Sequence, residues 1–356
     1  MGVYVIFLLT AVLAFALALY LAPSIIAAAH RYGILDRPDG NLKVQRDAVP
    51  YLGGLVVFLG MLAALAVTQT FNERLLALLL GASLIVSVGL VDDLGTLTPK
   101  DKFLGQVLCG VILVKGGISV QLEAVPSWVA AVASVLWMVT IINAFNIIDV
   151  SDGLCAGVGA VCAALLGAWQ LTHGALAEAF LCAALFGALC GFLRHNWAPA
   201  RMYLGDTGSM LIGTILGAVA MMSSWSGSNP LAPLVSPLAV LAVPLFDITF
   251  VVLVRLILGL RIYHGSPDHF AVRLRRHGWS AAGIATLAMV GGLCTGLLGL
   301  LAAYGGMSTA AVVGAGGILA AHVVGALLWR LDPRSAVTVP PPAAAQPQVP
   351  VDVVRP

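Results

Sequence analysis

The chain has 356 residues, of which 60% are hydrophobic and only 10% are charged. A soluble domain carries roughly 25% charged residues, and uninterrupted apolar stretches of about 18 or more residues recur along the whole chain, which excludes a soluble protein with a large core. The net charge of +2 says nothing specific about partners, and nucleic acid is not expected among them. The sequence therefore predicts an all-α polytopic integral membrane protein.

Apolar runs separated by polar loops predict about eleven transmembrane helices in a single domain, residues 1–331. The predicted spans are residues 3–28, 51–70, 75–91, 104–121, 126–147, 155–172, 176–194, 207–224, 234–256, 281–303 and 309–329. The tail, residues 332–356, is rich in Pro, Ala and Val and is expected to be a disordered cytoplasmic segment.

The basic residues predict the orientation of these spans. When the loops are assigned alternately to the two sides, sixteen Lys and Arg residues fall on one side, and only Arg74 and Lys115 fall on the other. The positive-inside rule then places the N-terminus outside and the C-terminus in the cytoplasm. The acidic clusters of the chain fall on the basic side, so a functional site is expected at the cytoplasmic face.

Four polar side chains end the predicted fifth span, in the stretch NAFNIIDVSDGL. Asn143, Asn146, Asp149 and Asp152 follow one another at intervals of three residues. On a helix, each such interval shifts the side chain by only about 60° around the axis, so the four are expected to share one broad face. Carboxylates at a bilayer are costly and persist where they bind an ion, a substrate or a proton.

The stretch GDTGS, residues 205–209, begins the predicted eighth span. Its glycines let the backbone approach a ligand closely, and free amides at a helix start favour phosphate. Asp206 would repel such an anion unless a divalent cation joins the two, which predicts Asp206 as a metal ligand. The alternative is that Asp206 caps the helix, which is a common arrangement.

The adjacent Asp92 and Asp93 end the predicted third span, and Lys100 and Lys102 follow. Neighbouring helical residues diverge by about 100°, so one carboxylate could face a metal and the other a substrate or a lysine. The alternative is a solvated helix end with the lysines as counter-charges. Three acidic clusters with lysines at one membrane face favour phosphoryl transfer between a soluble phosphorylated donor and a lipid acceptor.

The motifs NxxNxxDxxDGL and NxxPAxxxxGDxGS, in this order, resemble those of the polyprenyl-phosphate N-acetylhexosamine-1-phosphate transferases, and the chain is more similar to the WecA-type than to the MraY-type members. The resemblance implies that a UDP-N-acetylhexosamine, expected to be UDP-GlcNAc, donates its sugar-1-phosphate to undecaprenyl phosphate and releases UMP, with Mg²⁺ or Mn²⁺ as cofactor. It implies initiation of a lipid-linked cell-envelope glycan at the cytoplasmic face of a bacterial inner membrane. A homodimer is compatible with it, because relatives are often dimers.

The resemblance also implies roles for the matching residues. Asp92 is expected to deprotonate or position the lipid phosphate with support from Asp93, and Asp206 to be the principal metal ligand, joined by Asp92 and Asp149. Direct displacement is favoured over a covalent aspartyl intermediate, because a metal-activated phosphate oxyanion needs no further nucleophile. Tyr203 is expected to stack on uracil. The expected phosphate, nucleotide and sugar contacts come from Lys43, Lys102, Asn143, Asn146, Asp149, Asp152 and Asn196.

The loop 266–273 departs from the family pattern of three histidines. His269 matches the first, with an expected catalytic role, but Ala271 and Val272 stand where the others are expected. Arg273 and the arginines after it are expected to supply the lost pyrophosphate contacts; the alternative is that they only follow the positive-inside rule. The departure leaves open another UDP-HexNAc or UDP-MurNAc-pentapeptide as donor, and a non-catalytic relative. A transporter is a further alternative, although transporters place such carboxylates near the midplane.

Overall fold

The computed structural model describes residues 2–36, 48–120, 125–223, 225, 229–261 and 267–331. These residues form thirteen helices and one two-stranded antiparallel sheet, in which β1 (Leu35–Asp36) pairs with β2 (Val49–Pro50). The helices are α1 (Gly2–Tyr32), α2 (Gly53–Thr68), α3 (Glu73–Asp93), α4 (Pro99–Lys115), α5 (Ser127–Ile148), α6 (Leu154–Thr172), α7 (Leu176–Asn196), α8 (Gly205–Met222), α9 (Ala232–Val240), α10 (Ala242–Ile257), α11 (Phe270–Arg276), α12 (Ala281–Tyr304) and α13 (Met307–Arg330).

Each predicted span coincides with one described helix except the ninth, which is divided into α9 and α10 with a bend of 83°. Pro244 lies in the first turn of α10, where it has no amide to donate to the carbonyl of Val240, so a straight helix is interrupted there. Eight described helices are long and apolar enough to cross a bilayer, and the bent pair would be a ninth. The chain is an all-α polytopic membrane protein, and the count of eleven spans and their orientation stay predictions.

Helix α8 lies at the centre of the fold. Of the 18 residues of α8, 83% are buried, whereas only 6% of the apolar stretch of α13 is buried. It packs on α2, α3 and α5, and glycines allow the backbones to meet: a Cβ on Gly89 of α3 would lie 2.5 Å from Thr207 Cα, and one on Gly54 of α2 would overlap the Gly208 amide. The first turn of α8, which carries GDTGS, is therefore held between neighbouring helices.

The start of α4 follows directly from its sequence. Thr98 is the N-cap, its hydroxyl oxygen accepts from the Asp101 amide at 3.3 Å, and Pro99 occupies the first helical position, where its missing amide costs nothing. Lys102 therefore lies in the first turn of α4.

Candidate active site

The polar residues singled out in the sequence meet at one end of the helical bundle. Within the described residues this end, called here the site end, is formed by the C-termini of α3, α5 and α7 and the N-termini of α4, α6 and α8. Hydrogen bonds and ion pairs between side chains from these ends connect them into one constellation.

The ammonium of Lys102 lies between two carboxylates from different helices. Its Nζ is 2.7 Å from Asp92 Oδ2 and 2.6 Å from Asp206 Oδ2. Burial alone would lower the pKa of Lys102, but the carboxylates of Asp206 and Asp92 outweigh burial and raise this pKa above its ordinary value. Lys102 is thus a permanent cation, and the 35% exposed side chain of Asp206 leaves the cluster open to a ligand.

Asp206 is oriented by a second helix as well. Asn146 Nδ2, on α5, donates to Asp206 Oδ1 at 2.7 Å and to Ser209 Oγ at 3.0 Å. The interpretation of Asp206 as a helix cap is therefore wrong, because its two oxygens accept from Lys102 and Asn146. We call Asp92, Lys102, Asn146 and Asp206 the carboxylate–lysine cluster.

Asp93, the neighbour of Asp92, faces the other way and caps α8. Its Oδ1 accepts from the Asp206 amide at 2.8 Å, and its Oδ2 accepts from the Thr207 amide at 3.1 Å and from Thr207 Oγ1 at 2.6 Å. Two amides expected to be free for phosphate are thus occupied, and that expectation is wrong for them. The divergence of the two adjacent carboxylates is confirmed. Asp93 positions Asp206, and its predicted catalytic role stays a prediction.

Gly205 makes this capping arrangement feasible. Its φ of +74° is left-handed, and a Cβ there would lie 2.6 Å from the Tyr51 carbonyl oxygen and 2.7 Å from Asp93 Oδ2. Any other residue would be strained and would push the capping carboxylate away.

The stretch NAFNIIDVSDGL is only partly helical. Helix α5 ends one residue before Asp149, so Asn143 and Asn146 lie on it, whereas Asp149 and Asp152 lie in the following turn, which ends at Gly153 with φ +72°. The expectation of one shared helical face is therefore wrong for the two aspartates, because the helix ends before them.

Asp152 and Asn196 connect the two sequence motifs. Asp152 Oδ2 accepts from the Ala200 amide at 3.1 Å. Asn196 accepts from the Gly153 amide through Oδ1 at 3.0 Å and donates to the Met202 carbonyl through Nδ2 at 2.9 Å. Because Asn196 is only 4% exposed, these bonds fix the loop between α7 and α8, and its predicted contact with a nucleotide stays a prediction.

Asp149 lies close to the other carboxylates. Burial, followed by the charges of Asp206, Asp93 and Asp152, raises the pKa of Asp149 well above its ordinary range. A cation bound beside this carboxyl would offset that repulsion.

Tyr203 lies where the loop before α8 meets β2. Its amide donates to the Pro50 carbonyl at 2.7 Å. Burial and the carboxylates of Asp152 and Asp36 raise the pKa of the phenol to about 12, so Tyr203 is neutral at pH 7. Its stacking on uracil stays a prediction, and Lys43 lies outside the described residues.

His269 forms a buried pair with a carboxylate from α10. Its Nδ1 lies 2.8 Å from Asp247 Oδ2, and Asp247 Oδ1 accepts from the Phe270 amide at 3.1 Å. No site role was predicted for Asp247, although a carboxylate inside an apolar span is itself a signal of function. The contact gives His269 a fixed orientation, and its catalytic role stays a prediction.

Arg273 is turned away from solvent. It is 1% exposed, and its guanidinium donates to the Asp268 carbonyl and carboxylate, both at 3.1 Å, and to the Leu328 carbonyl at 2.9 Å. It also lies over the Phe250 ring, 5.1 Å from the centroid. The expected pyrophosphate contact would require Arg273 to leave these partners, so we assign it a structural role, linking α11 to the end of α13.

The donor set fits a divalent cation in part. Mg²⁺ is usually held by one or two carboxylates together with water and substrate phosphates, and Asp92 and Asp206 converge on one cationic group in this way. Asp149 is the predicted third ligand, but no three His, Cys, Asp or Glu residues are grouped to hold an ion in the described part of the chain. The geometry supports Asp92 and Asp206 as ligands, and Asp149 stays a predicted one.

Sequence comparisons agree with this constellation. A protein of Bacillus subtilis named "Probable undecaprenyl-phosphate N-acetylglucosaminyl 1-phosphate transferase" is 31% identical over 74% of this chain and 75% of its own length. A "Decaprenyl-phosphate N-acetylglucosaminephosphotransferase" of Mycobacterium tuberculosis is 30% identical over 67% of this chain and 68% of its own. A "Phospho-N-acetylmuramoyl-pentapeptide-transferase" of Staphylococcus carnosus is 29% identical over 82% and 97%.

The sequence model of the family described as Glycosyl transferase family 4 matches residues 75–224. This segment contains all four residues of the carboxylate–lysine cluster and the two motifs that Asn196 joins. The chain therefore belongs to glycosyl transferase family 4, among the polyprenyl-phosphate N-acetylhexosamine-1-phosphate transferases.

Proposed function

We propose that this protein transfers N-acetylglucosamine-1-phosphate from UDP-GlcNAc to undecaprenyl phosphate and releases UMP. The observation that carries the proposal is the carboxylate–lysine cluster, in which Lys102 joins Asp92 and Asp206 at 2.7 and 2.6 Å. Such a cluster at a membrane edge suits two anionic phosphate substrates, one soluble and one lipid-borne. The names of the similar proteins support the same reaction class.

The reaction is a direct displacement. An oxygen of the lipid phosphate attacks the sugar-bearing phosphorus of the UDP-sugar, the bond from that phosphorus to the bridging oxygen breaks, and UMP leaves with the bonding electrons. Asp92 orients the lipid phosphate, and Lys102 neutralises phosphate oxygens as charge moves to the leaving group. Asn146 and the Asp93 cap hold Asp206 in place.

Asp92 and Asp206 would hold a Mg²⁺ or Mn²⁺ ion, with Asp149 near enough to contribute charge. When bound, the ion would neutralise the pyrophosphate and polarise its phosphorus for attack. The support for this proposal is geometric: carboxylates from two different helices converge on one cationic group, the Lys102 ammonium, at 2.7 and 2.6 Å.

We place the reaction at the cytoplasmic face of a bacterial inner membrane. The support is the sequence-based assignment of the loops to alternate sides, which predicts sixteen Lys and Arg residues on the side of the polar motifs and two on the other. UDP-sugars are cytoplasmic metabolites, so this face is also where the donor is available.

The experiment is UMP release by the purified full chain with undecaprenyl phosphate, Mg²⁺ and a panel of donors: UDP-GlcNAc, UDP-GalNAc and UDP-MurNAc-pentapeptide. Release with UDP-GlcNAc is expected, and chelation of the metal should abolish it. UMP release with another donor but not with UDP-GlcNAc would mean that the proposed donor sugar is wrong. No release with any donor would refute the proposal.

A variant pair tests the cluster in the same assay. Asp206→Asn is expected to reduce turnover at least about a hundredfold, while Lys100→Met, in the same helical turn as Lys102 but exposed, should leave it nearly unchanged. Equal activity of the two variants would show that Asp206 is not part of the reaction.

A further inference from the structure

A second polar layer lies one helical turn below the carboxylate–lysine cluster. Gln106 Nε2 is 3.3 Å from Asn143 Oδ1, and Asn143 Nδ2 donates back to Gln106 Oε1 at 2.6 Å. The same Gln106 Nε2 also approaches the sulfur of Met210 at 3.7 Å. These three residues join α4, α5 and α8, the same three helices that carry Lys102, Asn146 and Asp206.

The spacing of the two layers is regular. Gln106 follows Lys102 by four residues, Met210 follows Asp206 by four, and Asn143 precedes Asn146 by three. Residues three or four apart lie above one another on a helix, so Lys102, Asn146 and Asp206 each lie one turn above a member of the lower layer.

The reciprocal amide pair is costly to place in the membrane interior and specific in its geometry. Gln106 is 1% exposed, and a buried amide that loses its partner is left with an unpaired polar group that water cannot reach. Two side chains that each donate to and accept from the other fix both the distance and the rotation between α4 and α5. Apolar residues at these positions would pack the helices without fixing the rotation.

We infer that Gln106 and Asn143 are positioning residues, whose reciprocal amide bonds hold α4 and α5 at the rotation that lets Lys102 and Asn146 converge on Asp206. The predicted contact of Asn143 with substrate stays a prediction. The inference rests on the proposed transferase activity for its kinetic test, and on the geometry alone for its chemical test.

The kinetic test compares single and exchanged variants of the full chain. Gln106→Leu removes the pair but leaves Asn143 Nδ2 bonded to the Val139 carbonyl, 2.8 Å away, so the fold should persist. A misplacement approaching 1 Å costs up to about a hundredfold in rate, so kcat should fall ten- to a hundredfold with the KM for the UDP-sugar little changed. The double variant Gln106→Asn with Asn143→Gln keeps the combined length and both amides and should recover most of the lost kcat.

The matched control is Gln170→Leu. Gln170 is also a 1% exposed glutamine, and it lies near the opposite end of α6, where its Nε2 has no hydrogen-bond partner among the residues that the structure describes. This variant removes a buried amide far from the cluster, so its kcat should remain that of the wild type. The inference is overturned if Gln106→Leu keeps the wild-type kcat, if its loss equals its loss of folded protein, or if the exchanged variant is no better than the single one.

The chemical test does not need turnover. Acylation of lysine amines in the folded chain, quantified by mass spectrometry, should modify Lys102 more slowly than the exposed Lys100 in the wild type, because Lys102 is held by two carboxylates. Gln106→Leu should raise Lys102 modification relative to Lys100, whereas Gln170→Leu should not. If the wild type releases no UMP, only the proposed function fails; unchanged Lys102 modification in Gln106→Leu defeats the inference itself.

Discussion

Replacing Lys102 with methionine removes the cation shared by Asp92 and Asp206 while keeping an unbranched stem of similar length. The two carboxylate oxygens each lie within 2.7 Å of the Lys102 nitrogen, so they are within about 5 Å of each other, and two unit charges at that distance repel by about 3 kcal/mol at an effective dielectric constant near 20. The carboxylates are 17% and 35% exposed, so water screens part of this energy. We expect a net destabilisation of about 1–2 kcal/mol.

The assay is thermal unfolding of the detergent-purified protein, with and without Mg²⁺. Lys102→Met should unfold a few degrees below the wild type, and Mg²⁺ should stabilise the variant more than the wild type, because the divalent ion replaces the missing charge. Lys100→Met is the control, since Lys100 is exposed in the same turn, and it should unfold like the wild type. Turnover of Lys102→Met should be lost in either condition, because the cation that binds phosphate oxygens is gone.

The reasoning fails if Lys102→Met and Lys100→Met unfold at the same temperature and Mg²⁺ stabilises neither. That result would mean that the two carboxylates are not close enough to repel, or that they separate freely when the ammonium is removed. If Mg²⁺ stabilised the wild type but not Lys102→Met, Lys102 would be needed for binding of the ion and would not take the place of the ion between the carboxylates.

Three further substitutions test single contacts. Asp93→Asn keeps only one of the two acceptor oxygens that bond the first turn of α8, so the free energy of unfolding, measured by denaturation, should fall by about 1–3 kcal/mol. Turnover, measured as UMP release, should fall at least tenfold. Normal activity would show that the cap does not position Asp206. Arg273→Lys cannot reproduce the guanidinium bonds to Asp268 and Leu328, so stability should fall with the KM for UDP-sugar unchanged, and a raised KM would restore the pyrophosphate role. Burial raises the pKa of Tyr203 to about 12, whereas the pKa of an unfolded tyrosine is about 10, so the wild type keeps its full stability below pH 10 and loses part of it as the pH rises toward 12. Tyr203→Phe, which cannot ionise, should therefore unfold less readily than the wild type at pH 11 and equally at pH 8. A difference that does not depend on pH would contradict this.

The helices of this chain could be predicted because membrane helices must satisfy their backbone internally and must be apolar over a fixed length. Run length and charged breaks are therefore enough to find them. The division of the ninth span was missed although Pro244 is visible in the sequence, because hydropathy does not register a missing amide. The end of α5 before Asp149 was missed for a related reason: a regular spacing of polar residues continues past the point where the helix stops.

The residues that form the site could also be predicted from the sequence, because carboxylates and lysines are rare in this chain and cluster at one predicted membrane face. Their individual contacts were not. Arg273 was expected at the pyrophosphate because arginines bind phosphate well, but its guanidinium donates to Asp268 and to the carbonyl of Leu328, which lies 55 residues away. Backbone carbonyls and amides have no sequence signature, so a side chain that bonds them cannot be recognised by spacing.

Asp92 and Asp93 show how far this limit extends into function. They are chemically identical and adjacent, and the 100° between them on a helix predicts that they diverge but not which one faces the ligand. Asp93 faces the backbone amides of Asp206 and Thr207, and Asp92 faces the ammonium of Lys102. Gly205 makes the contact with Asp93 possible, because a Cβ at this left-handed position would lie 2.7 Å from Asp93 Oδ2. The capping role of Asp93 therefore depends on a glycine about a hundred residues later in the chain.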